Sequence, residues 1–216
     1  MSTRHNLNPN PKASNNVTGW AQSSAATPAR VTGLSGPPVT TGAKWTTGTY
    51  QTTAFGTASP GVTYTVSAYV LAATFNQNSR TAYLNWSRSS GGDTQLNDTS
   101  VSLVADTWQR ITVTGTAPAN TTGVGLLIDG INASVSNVTI TAVLAEAAAG
   151  PAGDYFDGDS AGGSWDGTAG NSASTLTDAP SAPVVTVWDG AAEVDATVTV
   201  WDGAAEQDAS VTEIAT

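Results

Sequence analysis

One short stretch of the chain combines aromatic and amide side chains in a way that suits sugar binding. Its residues are Tyr83, Leu84, Asn85, Trp86, Ser87 and Arg88. Aromatic rings can stack on the apolar face of a pyranose, while polar neighbours bond its hydroxyl groups. Successive side chains of a β-strand alternate between its faces, so Tyr83 and Asn85 are expected to share one face. Leu84 and Trp86 are then expected to share the other face.

Aromatic residues on other segments extend this set. The predicted sugar contacts are Trp86, Tyr83, Arg88, Asn85, Trp45 and Tyr50. The alternative is that the aromatic rings fill a hydrophobic core, which is their commonest place. For Trp86 the sequence leaves both interpretations open, because a polar, glycine-containing loop follows it. Exposure of Trp86 and Tyr83 in a groove would favour binding, and complete burial would favour a structural role.

The carboxylates of the first two thirds of the chain do not form a catalytic pattern. They are Asp93, Asp98, Asp106 and Asp129, each in a predicted turn or at a strand end. Glycoside hydrolysis needs two facing carboxylates. The one histidine, His5, lies near a terminus that we expect to be mobile. We therefore predict that the chain is not an enzyme and that it needs no cofactor.

A second group of acids lies in a segment rich in glycine and serine. Its members are Asp154, Asp157, Asp159 and Asp166. A calcium loop is one interpretation, but the spacing does not match the EF-hand pattern and no glutamate follows at the twelfth position. The other interpretation is a series of tight turns with solvated aspartates. The sequence favours the turns and predicts no metal site.

Apolar and polar residues alternate with a period of two, which indicates β-strands. The clearest stretch is 62–70 (VTYTVSAYV), and 111–114, 123–129 and 138–144 also have strand patterns. Clusters of Asn, Gly, Pro and Ser separate these stretches. No cysteine is present, and no apolar run is long enough to insert into a membrane. The pattern predicts an all-β fold, a sandwich or jelly roll.

The last third of the chain contains a tandem repeat. Residues 185–197 read VTVWDGAAEVDAT and residues 198–210 read VTVWDGAAEQDAS. Asp-Gly between two β-branched runs predicts a hairpin. Trp188 and Trp201 precede Asp-Gly in the two copies, and we expect them to form an association surface, so that the chain is a homo-oligomer. The predicted organisation is a jelly roll over 1–149, an arm and linker over 150–183, and the repeat module over 184–216.

Charge is distributed unevenly along the chain. All seven Lys and Arg residues lie before residue 111, and most of the 17 acidic residues lie from Glu146 onward. Nucleic-acid binding needs clustered basic residues, so nucleic acid is not an expected partner. The N-terminal residues include no apolar run of the kind found in secretory signal peptides.

Several segments together resemble one family. NLNPNP, TGW, SPGVTYTVSAYV, DTWQRITVTGTAPANTTGVGLLI and VTITAVLAE occur in the order seen in carbohydrate-binding-module-like jelly rolls. The segment DYFDGDSAGGSWDGTAGNSAS and the VWDG repeats resemble minor tail proteins of tailed phages, especially phages of actinobacteria. This resemblance implies a tail component at the tail tip or on a fibre, assembled in the host cytoplasm beside other tail proteins. It also implies contact with host cell-wall polysaccharide, or alternatively a purely structural role in the tail.

The chain departs from that family at one place. The family's first strand usually continues with an aromatic residue and an acid, whereas this chain has Asn10-Pro11-Lys12-Ala13-Ser14. Many relatives bind a structural calcium near this strand. Lys12 adds a positive charge there, which argues against calcium at the corresponding position.

Overall fold

The computed structural model describes residues 3–22, 28–46, 50–72, 79–129, 138–150, 152–177, 184–188 and 193–197. All regular structure in these residues is β-strand. None of them belongs to a helix long and apolar enough to span a membrane. The chain divides into a main unit, Thr3–Thr177, and a second unit that includes residues 178–216.

The main unit is built from short and medium-length strands. They are β1 (Thr3–Asn6), β2 (Ala21–Gln22), β3 (Ala29–Thr32), β4 (Thr41–Trp45), β5 (Tyr50–Thr52), β6 (Gly56–Thr57), β7 (Thr63–Ala72), β8 (Ser79–Arg88), β9 (Thr94–Ser102), β10 (Gln109–Thr116), β11 (Thr121–Asp129), β12 (Val138–Glu146), β13 (Gly163–Trp165) and β14 (Ser174–Thr177).

Two antiparallel sheets form a sandwich. The β7 sheet has the order β10-β7-β12-β4-β3, and the β8 sheet has the order β2-β5-β11-β8-β9, with β6 also paired to β11. Their inner faces contribute to one hydrophobic core, in which Val66 and Val70 of one sheet and Leu84 and Ile128 of the other are fully buried. The alternation of buried and exposed residues along β10 follows the period of two that the sequence predicts.

The N-terminal segment continues the β7 sheet past a bulge in β12. Ala142 lies in the bulge with a φ of 50°, and the pairing of β12 with β7 shifts register there. Beyond the bulge, the Leu7 N–H donates to the Ala145 carbonyl at 2.8 Å, and the Val143 N–H donates to the Pro11 carbonyl at 2.8 Å. The segment that follows β1 therefore satisfies backbone groups that β7 does not reach.

The asparagines of the NLNPNP segment form a buried ladder. Asn6, Asn8 and Asn10 are almost completely buried. The Asn6 side-chain carbonyl accepts the Asn8 N–H at 3.2 Å, and the Asn8 side-chain carbonyl accepts the Asn10 N–H at 3.0 Å. The Asn6 amide donates to the carbonyls of Val143 at 2.9 Å and Phe156 at 3.1 Å. The ladder thus joins the N-terminal segment to β12 and to the segment that follows it.

Residues 152–177 of the predicted arm belong to the main unit. β14 pairs with β1 on one side and with β13 on the other. His5 lies opposite Thr175 in this sheet, and its Nδ1 is 3.1 Å from the Thr175 hydroxyl. The expectation that His5 lies in a mobile terminus is therefore wrong, because a strand from the far end of the main unit pairs with it.

The second unit contains β15 (Val184–Trp188) and β16 (Glu193–Thr197), which pair antiparallel. Trp188 lies opposite Glu193 in the register. This pairing confirms the hairpin predicted for the first repeat. The second repeat, 198–210, lies outside the described residues.

Candidate functional site

The two faces of β8 have different surroundings. Leu84 and Trp86 point into the core and are 0% exposed. The Trp86 ring meets the Tyr64 ring edge-on, with 5.9 Å between centroids. The predicted alternation along this strand is therefore confirmed, but Trp86 cannot reach a ligand, because the sandwich covers its ring completely. This corrects its assignment as a sugar contact.

Trp45 requires the same correction. It is 2% exposed and packs in the core against Trp20, with ring centroids 5.8 Å apart. β4 pairs with β12 inside the β7 sheet, and this pairing directs Trp45 between the two sheets. Its side chain stabilises the sandwich, and a polysaccharide cannot reach it.

The outward face of the β8 sheet carries two of the remaining predicted contacts, Tyr83 and Asn85. We call it the Tyr83 face and define it by Tyr83, Asn85, Gln95, Leu127, Gly125 and Phe55. Tyr83 lies opposite Leu127, and Asn85 lies between Gln95 and Gly125. Tyr83 is half-buried, and Asn85 is only 5% exposed. No donor in the described part of the chain reaches Asn85 Oδ1, although this atom is buried.

Phe55 joins this face because glycine occupies the facing position of β11. A Cβ at Gly123 would lie 3.3 Å from the Phe55 Cβ and 3.4 Å from the Ser87 Cβ. A Cβ at Gly125 would lie 3.2 Å from the Thr53 carbonyl oxygen. Glycine at both positions lets the chain after β5 lie close against β11 and brings half-buried Phe55 to the Tyr83 face. The sequence alone does not mark Phe55, because its segment has no alternating pattern.

Arg88 lies at the end of β8 and is held by loops. Its Nε donates to the Ala119 carbonyl at 3.3 Å, and its Nη1 donates to the Thr94 hydroxyl at 3.2 Å. A Cβ at Gly91 would lie 3.4 Å from the same guanidinium. The contacts made by Arg88 brace this end of the sheet.

Three predicted residues are only partly described or not described. Tyr50 begins β5 opposite Asp129, and the structure gives its backbone position alone. Trp188 ends β15, again with the backbone alone described. Trp201 lies outside the described residues. Their assignments stay predictions.

The acidic segment forms a polar cluster with the N-terminal segment. Lys12 Nζ lies 2.6 Å from Asp157 Oδ2 and 2.8 Å from Asp159 Oδ2. The Tyr155 hydroxyl donates to Asp157 Oδ2 at 2.8 Å, and the Trp165 Nε1 donates to Asp159 Oδ1 at 2.9 Å. Asp157 is only 2% exposed.

The predicted turns are present, since Asp157 Oδ1 accepts the Asp159 N–H at 2.9 Å. Asp157 is not solvated as expected, because Lys12 and Tyr155 cover it.

The cluster shifts three pKa values. Burial lowers the pKa of Lys12, but hydrogen bonds to Asp157 and Asp159 and their charges outweigh burial and leave it above 10.5. The hydrogen bonds from Lys12 and then Trp165 lower the pKa of Asp159 below 3.8. Burial, followed by the charge of Asp157, raises the pKa of Tyr155 well above 10.0. The ammonium of Lys12 is thus the cation that these two carboxylates hold. Among the described residues, no group of three metal-ligating side chains occurs.

No protein-family model matches the chain, and no curated protein matches it. Solved structures do resemble it. One is endo-1,4-beta-D-xylanase 10B of Clostridium thermocellum, as CBM22-1 and GH10 modules with xylohexaose, with a TM-score of 0.50 and 14% identity. The match covers 72% of this chain and 30% of that chain.

Two further structures have lower scores. The CBM22-2 xylan-binding domain of Paenibacillus barcinonensis Xyn10C has a TM-score of 0.49 and 13% identity, over 64% of this chain and 98% of that chain. The enzymatically active domain of bacteriophage CBA120 tailspike protein 4 has a TM-score of 0.46 and 14% identity, over 64% of this chain and 21% of that chain. The chain spans less than a third of the xylanase chain that it matches. The predicted all-β jelly-roll fold, of the kind found in carbohydrate-binding modules, is confirmed, and the likeness extends to the fold alone.

Proposed function

We propose that the main unit binds a polysaccharide on the Tyr83 face and that the whole chain is a component of a phage tail. The observation that carries the binding proposal is that half-buried Tyr83, half-buried Phe55 and exposed Gln95 lie on one face of the β8 sheet. Asn85 lies on the same face, but its side-chain oxygen is covered, so Asn85 supports this surface and does not itself contact a ligand.

The chemistry of this face suits a neutral sugar chain. The Tyr83 ring offers an apolar surface for a pyranose, and half-buried Phe55 lies further along the same face. Exposed Gln95 provides an amide that both donates and accepts hydrogen bonds. Such a set holds hydroxyl groups without requiring charge on the ligand.

One such site is expected to bind weakly, and several copies together give useful avidity. The tandem VWDG repeats are the segment that we propose for self-association. Linking weak sites raises the overall affinity about 10²- to 10⁴-fold when the geometry lets them engage together. A homo-oligomer would therefore turn a weak sugar contact into attachment to a polysaccharide surface.

The tail assignment rests on the resemblance of two segments, 154–174 and 185–210, to phage minor tail proteins. Proteomic analysis of tails purified from the phage that encodes this chain tests it. We expect the chain in the tail fraction, together with other tail proteins and in several copies per tail. Its absence from tails that are otherwise complete would refute the assignment.

A second candidate function is bracing of the tail without polysaccharide binding. The complete burial of Trp86 and Trp45 favours it, because two aromatic residues of the predicted sugar-binding set support the core instead. We propose no catalytic role in either case.

Sedimentation of the full chain with insoluble cell-wall polysaccharide from an actinobacterial host tests the binding proposal. Tyr83→Ala is expected to weaken binding about tenfold, the effect of losing about 1.4 kcal/mol. Tyr69→Ala is the matched control, because Tyr69 is half-buried on the outward face of the β7 sheet, with Arg110 5.9 Å from its ring centroid. Equal binding by all three proteins would contradict a site on the Tyr83 face, and no binding by the wild type at millimolar concentration would leave bracing as the supported function.

A further inference from the structure

A depression lies on another part of the main unit and shares no residue with the Tyr83 face. Its volume is about 350 Å³, and its lining is Lys12, Ser14, Pro38, Val39, Thr40, Thr41 and Asp159. Small-molecule sites have volumes of roughly 300 to 1,000 Å³. The depression is therefore large enough for one small ligand.

The polar wall of the depression retains free hydrogen-bonding capacity. An ammonium has three donors, and Lys12 uses two of them on Asp157 and Asp159. Asp159 accepts from Lys12 and Trp165, yet its side chain is still 62% exposed, so its oxygens have further lone pairs. Exposed Thr40 adds a hydroxyl that makes no side-chain bond within the described residues. This wall offers both donors and acceptors within one small site.

The other wall is apolar and is provided by Pro38 and Val39. One cation and two carboxylates leave the cluster with a net negative charge, which disfavours an anionic ligand. The two aspartates already hold the Lys12 ammonium, which disfavours a metal ion. The remaining ligand class is a neutral molecule with one apolar face and adjacent hydroxyl groups.

We infer that this depression is a second binding site, for a single pyranose or furanose unit. Lys12 donates to one ligand hydroxyl, Asp159 accepts from its neighbour, and Thr40 bonds a third. Pro38 and Val39 contact the apolar face of the ring. The site is independent of the proposed binding on the Tyr83 face.

Saturation-transfer NMR on the full chain tests this inference, with the methyl glycosides of glucose, galactose, mannose and arabinose as probes. At least one glycoside is expected to bind at millimolar concentration.

Asp159→Asn combined with Thr40→Val is expected to weaken that binding about tenfold or more. Asparagine can still accept from Trp165, so the loop is expected to keep its shape. Asp154→Asn, at an exposed aspartate outside the depression, is the matched control and is expected to bind as the wild type does.

Tyr83→Ala separates the two sites. Glycoside binding that survives Tyr83→Ala and falls in the double variant supports the inference. The inference is overturned if no glycoside binds the wild type at 50 mM, a concentration about fiftyfold above a dissociation constant of about 1 mM. It is also overturned if binding falls in Tyr83→Ala and not in the double variant, an outcome that would support the Tyr83 face alone.

Discussion

At the scale of single residues, buried polar side chains hold the main unit together. Asn6 illustrates this, because it is 0% exposed and its amide donates to two backbone carbonyls. Its carbonyl also accepts the N–H groups of Asn8 and Ala145. One side chain thus satisfies backbone groups from three separate segments.

Asn6→Ala is expected to lower the free energy of unfolding by about 3 kcal/mol, since several buried groups lose their partners. Urea denaturation followed by tryptophan fluorescence measures the change. Asn15→Ala is the control, because Asn15 is exposed and its side chain makes one hydrogen bond within the described residues, to the Ala169 carbonyl. A loss of about 0.5 kcal/mol is therefore expected. Similar losses in both variants would show that the ladder is not a stabilising unit.

The Lys12 cluster predicts a dependence of stability on pH. Lys12→Met leaves the buried Asp157 carboxylate without its cation, and we expect a loss of about 3 kcal/mol near neutral pH. The contribution of Lys12 is present below its ordinary pKa of 10.5 and disappears as the pH rises through its raised pKa. The contribution of Asp159 is present above 3.8 and disappears as the pH falls through its lowered pKa.

Urea denaturation of the wild type and Lys12→Met across this pH range measures the difference. The gap in unfolding free energy is expected to be widest between about pH 4 and pH 10.5 and to narrow on both sides. Lys44→Met, at a half-buried lysine with no ion pair among the described residues, is expected to show a small and nearly constant gap. A constant gap for Lys12→Met would contradict the proposed role of the cluster.

The sequence predicts the two faces of β8, because alternation requires only local information. The apolar neighbours Ala82 and Leu84 share the face of Trp86, and this signal could have assigned that face to the core. The partners of Lys12 and Asn6 could not be predicted in the same way. Val143 and Phe156, the backbone partners of the Asn6 amide, and Asp159, a partner of Lys12, lie more than 130 residues away in the chain, and only the folded topology brings them together.

At the scale of elements, the segment after the sandwich completes the main unit. Arg4 on β1 pairs with Glu146, at 2.9 Å between Nε and Oε1, and its guanidinium lies 4.9 Å from the centroid of the Phe156 ring. β14 then pairs with β1 along its length. The predicted strand pattern covers the sandwich, whereas the Gly/Ser/Asp-rich composition of residues 150–177 hides two short strands, β13 and β14. They pair with each other locally, and β14 also pairs with β1 from the start of the chain.

Truncation tests the importance of this segment. A chain that ends at residue 177 is expected to melt within about 3 °C of the full chain. A chain that ends at residue 149 is expected to melt about 10 °C lower or not to fold, because it loses the partners of β1 and Lys12. Thermal unfolding followed by circular dichroism measures both. Equal melting temperatures of the two truncated chains would mean that residues 150–177 do not stabilise the sandwich.

At the scale of the whole molecule, the repeats and the sandwich have different proposed tasks. The repeats would join copies of the chain, and the sandwich would contact the polysaccharide. The register of β15 and β16 places Trp188 at the strand end that leads into Asp-Gly, and the sequence repeats this position at Trp201.

Substitution of both tryptophans tests self-association. Trp188→Ala combined with Trp201→Ala is expected to lower the mass of the full chain to that of a monomer in light scattering, because the proposed apolar contact is removed. Glu193→Gln combined with Glu206→Gln is expected to keep the wild-type mass. A wild type that is already monomeric would contradict association through the repeats.

The most direct test of the central claim is amide chemical-shift mapping of the full chain during titration with soluble host cell-wall polysaccharide. If the Tyr83 face binds the polysaccharide, the amide signals of Tyr83, Asn85, Gln95 and Gly125 are expected to shift saturably. The amide signal of Tyr69, on the opposite sheet, is expected not to shift. Shifts confined to other surfaces, or no shifts with this polysaccharide, would contradict polysaccharide binding on this face.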